Sequence, residues 1–190
     1  MSRGQLQRFV FWLTLVSLQA HAQHFRQTEN SYLSVTGTST LHDWTMTSKE
    51  GRCHAEIETS ADGLPTKIRS LTLQVRSESL KSGHSAMDKN AYSTLNAQEH
   101  KLIVFEMTEA VVADKQVRCS GYLKVAGASR PLTLEAHYKV LPDHSLLFWG
   151  TQPMKMSDFG IEPPTFMFGT VETGDAITVS FNMELAPSRK

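Results

Sequence analysis

The chain of 190 residues is long enough to bury one sizeable hydrophobic core, and its formal net charge is zero. No basic run or basic–aromatic cluster supplies the phosphate contacts that nucleic acid binding needs, so we expect no nucleic acid partner. Beyond residue 22, no apolar stretch is long enough to cross a bilayer as a helix. These limits favour one globular domain.

The first 22 residues have the layout of a secretory signal peptide. Residues 1–8 are polar and basic, residues 9–18 are apolar, and Ala20 and Ala22 place small residues before a cut after Ala22. An N-terminal membrane anchor is the alternative, but the apolar run is half of the about twenty residues that a spanning helix needs. We therefore expect residues 1–22 to be removed, leaving a domain of residues 23–190 in the periplasm or secreted.

The next part of the chain predicts β-strands. Residues 32–38 and 52–58 are plausible strands, and residues 70–77 (SLTLQVRS) alternate strictly between apolar and polar side chains. Alternation of this kind places one dry and one wet face on the same strand.

One segment breaks the alternation. Residues 85–97 place Met87, Ala91 and Leu95 four residues apart, on one stripe of a helix. Ser85, followed by an acidic residue three positions later, resembles a capping box. We predict a short helix that lies over one end of a β-structure.

Strands resume after this helix. Strict alternation marks residues 117–125, 132–140 and 176–185, and weaker patterns mark residues 101–112, 145–150 and 152–156. Turn residues separate the segments. About eight or nine strands at this spacing predict an all-β fold, either a barrel or a sandwich.

The chain has two cysteines, Cys53 and Cys119. In an oxidising compartment such a pair can form one disulfide, which would contribute roughly 4 kcal/mol in the chain-entropy model. The alternative is two free, buried thiols, because the sequence does not show whether the two Cα atoms lie within reach.

Five short patterns follow one another along the chain. They are residues 37–44 (GTSTLHDW), 95–105, 121–132 with GASRPL at its end, 157–161 (SDFGI) and 175–185. GASRP followed by SDFGI is the most specific pair. Together the patterns resemble the YceI-like family of exported lipid-binding proteins, over nearly all of the chain beyond the signal peptide.

The resemblance implies an eight-stranded, antiparallel, lipocalin-like barrel with a short helical insertion. It also implies an apolar tunnel for a polyisoprenoid or another long-chain amphiphile, such as a quinone with an isoprenoid tail. On this basis the expected function is an exported carrier of such a lipid, with no other cofactor; homodimer formation is left open. The alternative is a non-enzymatic structural or interaction barrel with a solid core.

The candidate lining of the tunnel combines the apolar strand faces with methionine and aromatic residues near them. The residues alone favour an ordinary solid core, and only the resemblance favours a tunnel. A dry cavity with few polar groups would suit a long hydrocarbon. The predicted ligand-binding residues are Trp44, Leu71, Leu73, Val75, Ile103, Phe105, Met107, Leu123, Leu134, Phe148, Met154, Met156, Phe159, Phe166, Phe168 and Phe181.

Two polar residues are candidates for the tunnel mouth. His42 could meet a polar head group beside Trp44; alternatively, Trp44 plugs one end of the core and His42 is merely exposed. Asp158 could face the head group, or it could tie a turn through its backbone neighbours.

Catalytic and metal patterns are weak. Ser39, His42 and Asp43 suggest a triad, but the side chains of adjacent His42 and Asp43 point apart on a strand. No G-x-S-x-G motif occurs, and the eight histidines form no H-x-H or H-x-x-x-H pair. We therefore expect neither an enzyme nor a metal site.

Overall fold

The computed structural model describes residues 21–166 and 169–188. Its strands are β1 (His21–Gln27), β2 (Tyr32–Ser39), β3 (Trp44–Ser48), β4 (Arg52–Thr59), β5 (Pro65–Arg76), β6 (Leu102–Ala113), β7 (Gln116–Val125), β8 (Ala128–Val140), β9 (Leu146–Lys155), β10 (Thr165–Phe166) and β11 (Val171–Pro187). One α-helix, α1 (Ser85–Thr94), and two 3₁₀ turns, at Ser77–Ser79 and Ser157–Phe159, complete the described structure.

The strands close into an antiparallel barrel. The order around it is β1, β4, β5, β6, β7, β8, β9 and β11, and β11 returns to β1 where Leu185 pairs with Gln27. Farther along the same edge β11 pairs with β2, and β2 pairs with β3. β1 and β2 therefore share one of the eight strand positions of the barrel, one after the other along β11. β4 and β3 share the neighbouring position in the same way, β4 beside β1 and β3 beside β2. The predicted eight-stranded antiparallel barrel with a helical insertion is confirmed.

Bulges bend the long strands and reset which residues face inward. In β6 the register shifts between Met107 and Glu109, so that inward-facing positions continue at Ala110 and Val112. A bulge adds one residue and increases the local twist, which helps a sheet to close on itself. Strict alternation therefore holds on each side of the bulge but not through it.

One end of the barrel is densely packed. Phe25, Ile57, Leu146 and Leu185 are each at most 2% exposed and belong to one buried cluster. The hairpin turns after β4, β6 and β8 lie at this closed end. At the opposite end the longer connections, including α1, surround an opening.

The helix differs from its prediction in two respects. α1 ends at Thr94, three residues before the predicted end. The predicted capping box is wrong: His84 is the N-cap residue and has no side-chain cap bond. Asp88 instead accepts hydrogen bonds from the backbone N–H and the hydroxyl of Ser82, each 2.7 Å long. The acidic residue thus fixes the helix to the loop before it.

Three strands were not predicted, and one was wrongly divided. β1 is mostly polar, and Phe25 is the one buried residue among its positions 22–27. β3 has five residues and β10 has two, so none carries a periodic signal of useful length. The predicted strands 145–150 and 152–156 are the single strand β9, because β11 pairs with it without interruption from Leu146 to Lys155.

Residues 1–20 of the predicted signal peptide lie outside the described residues. β1 starts at His21, so its first two residues precede the predicted cut after Ala22, and the cut itself stays a prediction. Among the described residues, α1 is far too short and too polar to be a membrane-crossing helix.

Candidate ligand-binding site

The barrel encloses a cavity of about 580 Å³. It extends from Ile68, Val117 and Leu185, near the closed end, past Phe148 to Leu41, which is 68% exposed. It therefore reaches the protein surface at the end opposite the closed one. Its size falls within the range of about 300–1,000 Å³ that is usual for small-molecule sites.

The mouth of this cavity lies between α1 and the β2–β3 loop. His84, Ala86 and Met87 line it on the helix side, and Leu41 and His42 line it on the loop side. Both sides are a helix or loop and not strands. The residue types at the mouth therefore do not follow the alternation of apolar and polar residues that is found along the strands below.

Hydrogen bonds hold α1 and the β2–β3 loop, the two sides of the mouth, in place. The Tyr92 hydroxyl of α1 donates to the carbonyl of Leu80 at 2.8 Å, and Lys81 and Thr47 exchange backbone bonds of 2.8 and 3.0 Å. In the loop, the Ser39 hydroxyl donates to the carbonyl of His42 at 2.7 Å and accepts the N–H of His42 at 3.2 Å. The opening therefore has a fixed frame.

The structure brings nearly all the predicted lining residues together on the cavity wall. Those on the wall are Trp44, Leu71, Leu73, Val75, Ile103, Phe105, Leu123, Leu134, Phe148, Met154, Met156, Phe159, Phe166 and Phe181. Met107 instead packs against the buried cluster, beside the β6 bulge. Phe168 and its neighbour Met167 lie outside the described residues. That these side chains bind a ligand remains a prediction.

Two phenyl rings lie against glycines on the inner wall. A Cβ atom added at Gly121 would be 2.9 Å from Cζ of Phe105, and one at Gly150 would be 2.8 Å from Cζ of Phe181. Both distances are too short for real contacts, and an added Cβ would collide even earlier with a backbone carbonyl oxygen, that of Glu106 at Gly121 and that of Glu135 at Gly150. The glycines therefore let both the neighbouring backbone and the ring lie close to the strand.

Trp44 makes a similar contact at the mouth. Its indole covers Gly37, its register partner on β2, so closely that an added Cβ there would collide with the ring. Its Nε1 donates to the carbonyl of Thr38 at 3.1 Å. The ring is thereby held flat along β2 beside the opening.

The two polar residues predicted at the mouth have different positions. His42 lines the cavity, and its Nδ1 lies 2.8 Å from the carbonyl of Asp43. Asp158 is not part of the lining: its carboxylate accepts the N–H of Lys155 at 3.3 Å, and its carbonyl accepts from Arg130 Nε at 2.9 Å. Asp158 therefore ties a turn, the alternative that the sequence left open.

Cys53 and Cys119 are buried free thiols, and both line the cavity. Burial, with a smaller contribution from the nearby Cys119, raises the pKa of Cys53 to about 12. Burial also raises the pKa of Cys119 to about 11. Because the thiolate is the reactive form, these neutral thiols act as small apolar wall groups. The Cys53–Cys119 disulfide stays a prediction.

Sequence reasoning did not select several wall residues. Leu33 and Val35 of β2, Met46 of β3, and Gln152 of β9 all line the cavity. The alternation in β2 could have found Leu33 and Val35. Met46 alternates with Trp44 in β3, a signal too short to have been used. Gln152 is polar, so no hydrophobic pattern could have identified it.

The Ser39, His42 and Asp43 side chains do not form a catalytic relay. The Ser39 hydroxyl bonds to the backbone of His42, and the imidazole of His42 contacts the backbone carbonyl of Asp43. Within residues 21–166 and 169–188, no three His, Cys, Asp or Glu side chains are grouped closely enough to hold a metal ion.

A closed antiparallel barrel with an apolar interior cavity, open at one end under a short helix, has the architecture of a barrel that encloses a small ligand. The sequence agrees: the model of the YceI-like domain family matches residues 17–185. The chain belongs to the YceI-like family, as its sequence patterns indicated. None of the curated protein sequences matches it.

Solved structures share this fold at low sequence identity. Burkholderia cenocepacia BcnA is 14% identical with a TM-score of 0.68, and the match covers 83% of this chain and 98% of BcnA. A polyisoprenoid binding domain from Saccharophagus degradans, implicated in plant cell wall breakdown, is 12% identical with a TM-score of 0.65, covering 88% and 100%. A Campylobacter jejuni YceI protein is 18% identical with a TM-score of 0.57, covering 74% and 85%.

Proposed function

We propose that the protein is an exported, non-enzymatic carrier for a polyisoprenoid or another long-chain amphiphile, held inside the barrel. The observation that carries this proposal is the cavity of about 580 Å³, apolar along its wall and open at one end. Each buried CH₂ group contributes roughly 0.8 kcal/mol, so a long chain binds there without many directed contacts.

The shape of the cavity suggests how the ligand lies. The hydrocarbon tail occupies the part near Phe148, Cys53 and Cys119, and the polar head lies towards His42 and His84 at the mouth. This orientation keeps the head group hydrated while the tail leaves water. A prenol, a quinone with an isoprenoid tail and a long-chain ester all have this form.

Two further observations support the proposal. The Saccharophagus degradans neighbour is described as polyisoprenoid binding. The N-terminal sequence pattern supports export to the periplasm or beyond. The alternative, a structural barrel with a solid core, requires a filled interior, and the cavity favours the carrier over it.

The direct test is mass spectrometry of an organic extract of protein purified without detergent. We expect a long-chain compound in the extract of the wild-type protein. Leu123→Trp, which adds an indole to the cavity wall, should remove it. Tyr122→Trp is the matched control, because Tyr122 directly precedes Leu123 in β7, is 52% exposed and does not line the cavity.

Two results would contradict the proposal. One is a wild-type protein that neither carries a long-chain compound nor takes up an added polyprenol. The other is uptake that is equal in the Leu123→Trp and Tyr122→Trp proteins, since the hydrocarbon would then bind outside the barrel.

A further inference from the structure

One polar side chain interrupts the apolar wall below the mouth. Gln152 occupies an inward-facing position of β9, in the row that contains Phe148 and Met154, and lines the cavity. The other described strand residues facing the cavity at this level are apolar. An amide here is unexpected if the cavity serves only a hydrocarbon.

The strand register gives the depth of Gln152. It pairs with Val179, which pairs with Val35, which pairs with Met46. The level above it, towards the mouth, contains Met154 and Trp44 in the same strands. Gln152 therefore lies about 7 Å below the Trp44 level, by the rise of two strand residues.

The hydrogen-bonding capacity of Gln152 is only partly used. Its Nε2 donates to the carbonyl of Pro153 at 3.0 Å, and the side-chain amide forms no other hydrogen bond with the residues that the structure describes. A glutamine amide has two donor hydrogens and one acceptor oxygen. One donor hydrogen and the carbonyl oxygen are left, and because the amide is accessible and not buried, both can bond to a ligand in the cavity.

We infer that Gln152 binds an uncharged oxygen of the ligand, a hydroxyl or carbonyl located where the tail joins the head group. This inference rests on the proposed carrier function and narrows its ligand class. The amide can donate to a carbonyl or hydroxyl oxygen and accept from a hydroxyl hydrogen. A pure hydrocarbon would leave both groups unbonded, so Gln152 selects oxygen-bearing chains.

The test compares two probes that differ in one atom. All-trans-geranylgeraniol and the hydrocarbon in which hydrogen replaces its hydroxyl are titrated into delipidated protein, with displacement of a fluorescent fatty probe as the readout. Gln152→Met keeps an unbranched side chain of similar length and removes the amide. Thr151→Val, at the adjacent exposed position of β9, is the matched control.

The wild-type protein and Thr151→Val should bind the alcohol about fivefold more tightly than the hydrocarbon, the gain of about one net hydrogen bond. Gln152→Met should lose this preference through weaker binding of the alcohol, with hydrocarbon affinity unchanged or improved. Equal losses of affinity for both probes would overturn the inference, because Gln152 would then affect binding through the shape of the cavity and not through a hydrogen bond. Unchanged affinities would also overturn it while leaving the carrier function intact. If neither probe binds the wild-type protein, the carrier proposal fails first.

Discussion

The two ends of the barrel differ in how their residues are used. At the closed end, Phe25, Ile57 and Leu146 pack beyond the cavity and are almost fully buried. At the open end, the interior is left empty, and Trp44 lies flat against Gly37 beside the opening. One end is therefore filled by side chains, and the other keeps space for a ligand.

This division explains how a barrel with a large cavity can be stable. A cavity forfeits dispersion contacts along its wall and makes no contribution to folding until a ligand fills it. The closed end and the strand pairing around the barrel must supply the stability of the empty protein. Mutations at the two ends should accordingly separate stability from binding.

The largest effect should come from the closed end. Leu146→Ala removes a side chain with no exposed surface and should lower the free energy of unfolding by about 2–5 kcal/mol. Chemical denaturation measures this loss. Leu41→Ala at the mouth, where the side chain is 68% exposed, is the control and should change it by at most about 0.5 kcal/mol. Similar losses in both variants would show that the two ends do not differ.

A smaller effect should come from the contact between Gly37 and Trp44. Gly37→Ala places a methyl group against the indole, which must move, and should cost about 1–3 kcal/mol of unfolding free energy. The displaced ring should also weaken binding of a long-chain probe, because Trp44 lines the cavity. Denaturation and probe titration measure the two effects.

Trp44→Phe supplies the control for this prediction. The smaller phenyl ring leaves room for a methyl group, so Gly37→Ala should cost less in the Trp44→Phe background than in the wild type. An equal cost in both backgrounds would mean that the glycine is required by the strand backbone and not by the indole.

The sequence predicted the barrel better than it predicted the cavity. Alternation located β5, β7, β8 and β11 because their inward rows are nearly all apolar. The open interior was not predictable from residue types, since the same side chains would fill a solid core. The close contacts of rings with glycines on neighbouring strands were also not predictable, because they depend on register.

The hydrogen-bond partners of polar residues at the open end were also not predictable from the sequence. Asp88 was assigned to a capping box from its spacing, but it bonds to Ser82, which precedes the helix. For Asp158 the sequence left open the mouth or a turn, and its carboxylate ties a turn. Short polar side chains bond to whichever backbone groups the turns bring near, so spacing alone does not fix their partners.

The smallest effect should come from the Asp88 tie that holds α1 over the mouth. Asp88→Ala removes the acceptor of two bonds from Ser82 and should lower the local stability of α1 by about 1 kcal/mol, with little change in global unfolding. Hydrogen exchange of the α1 amides measures this. Lys89→Ala, on the exposed adjacent position, is the control and should leave exchange unchanged.

The same tie gives α1 a defined dependence on pH. Desolvation raises the pKa of Asp88, but the Ser82 hydrogen bonds and the nearby Lys81 and His84 together lower it below its ordinary value of 3.8. A carboxyl with a lowered pKa in the folded state stabilises above its ordinary pKa and loses that contribution as the pH falls through the lowered one. Protection of the wild-type α1 amides, corrected for intrinsic exchange, should therefore fall below pH 3.8, whereas Asp88→Ala should show no such step. A step of equal size in both proteins would show that the protonation of another group, and not of Asp88, lowers the protection of the α1 amides at low pH.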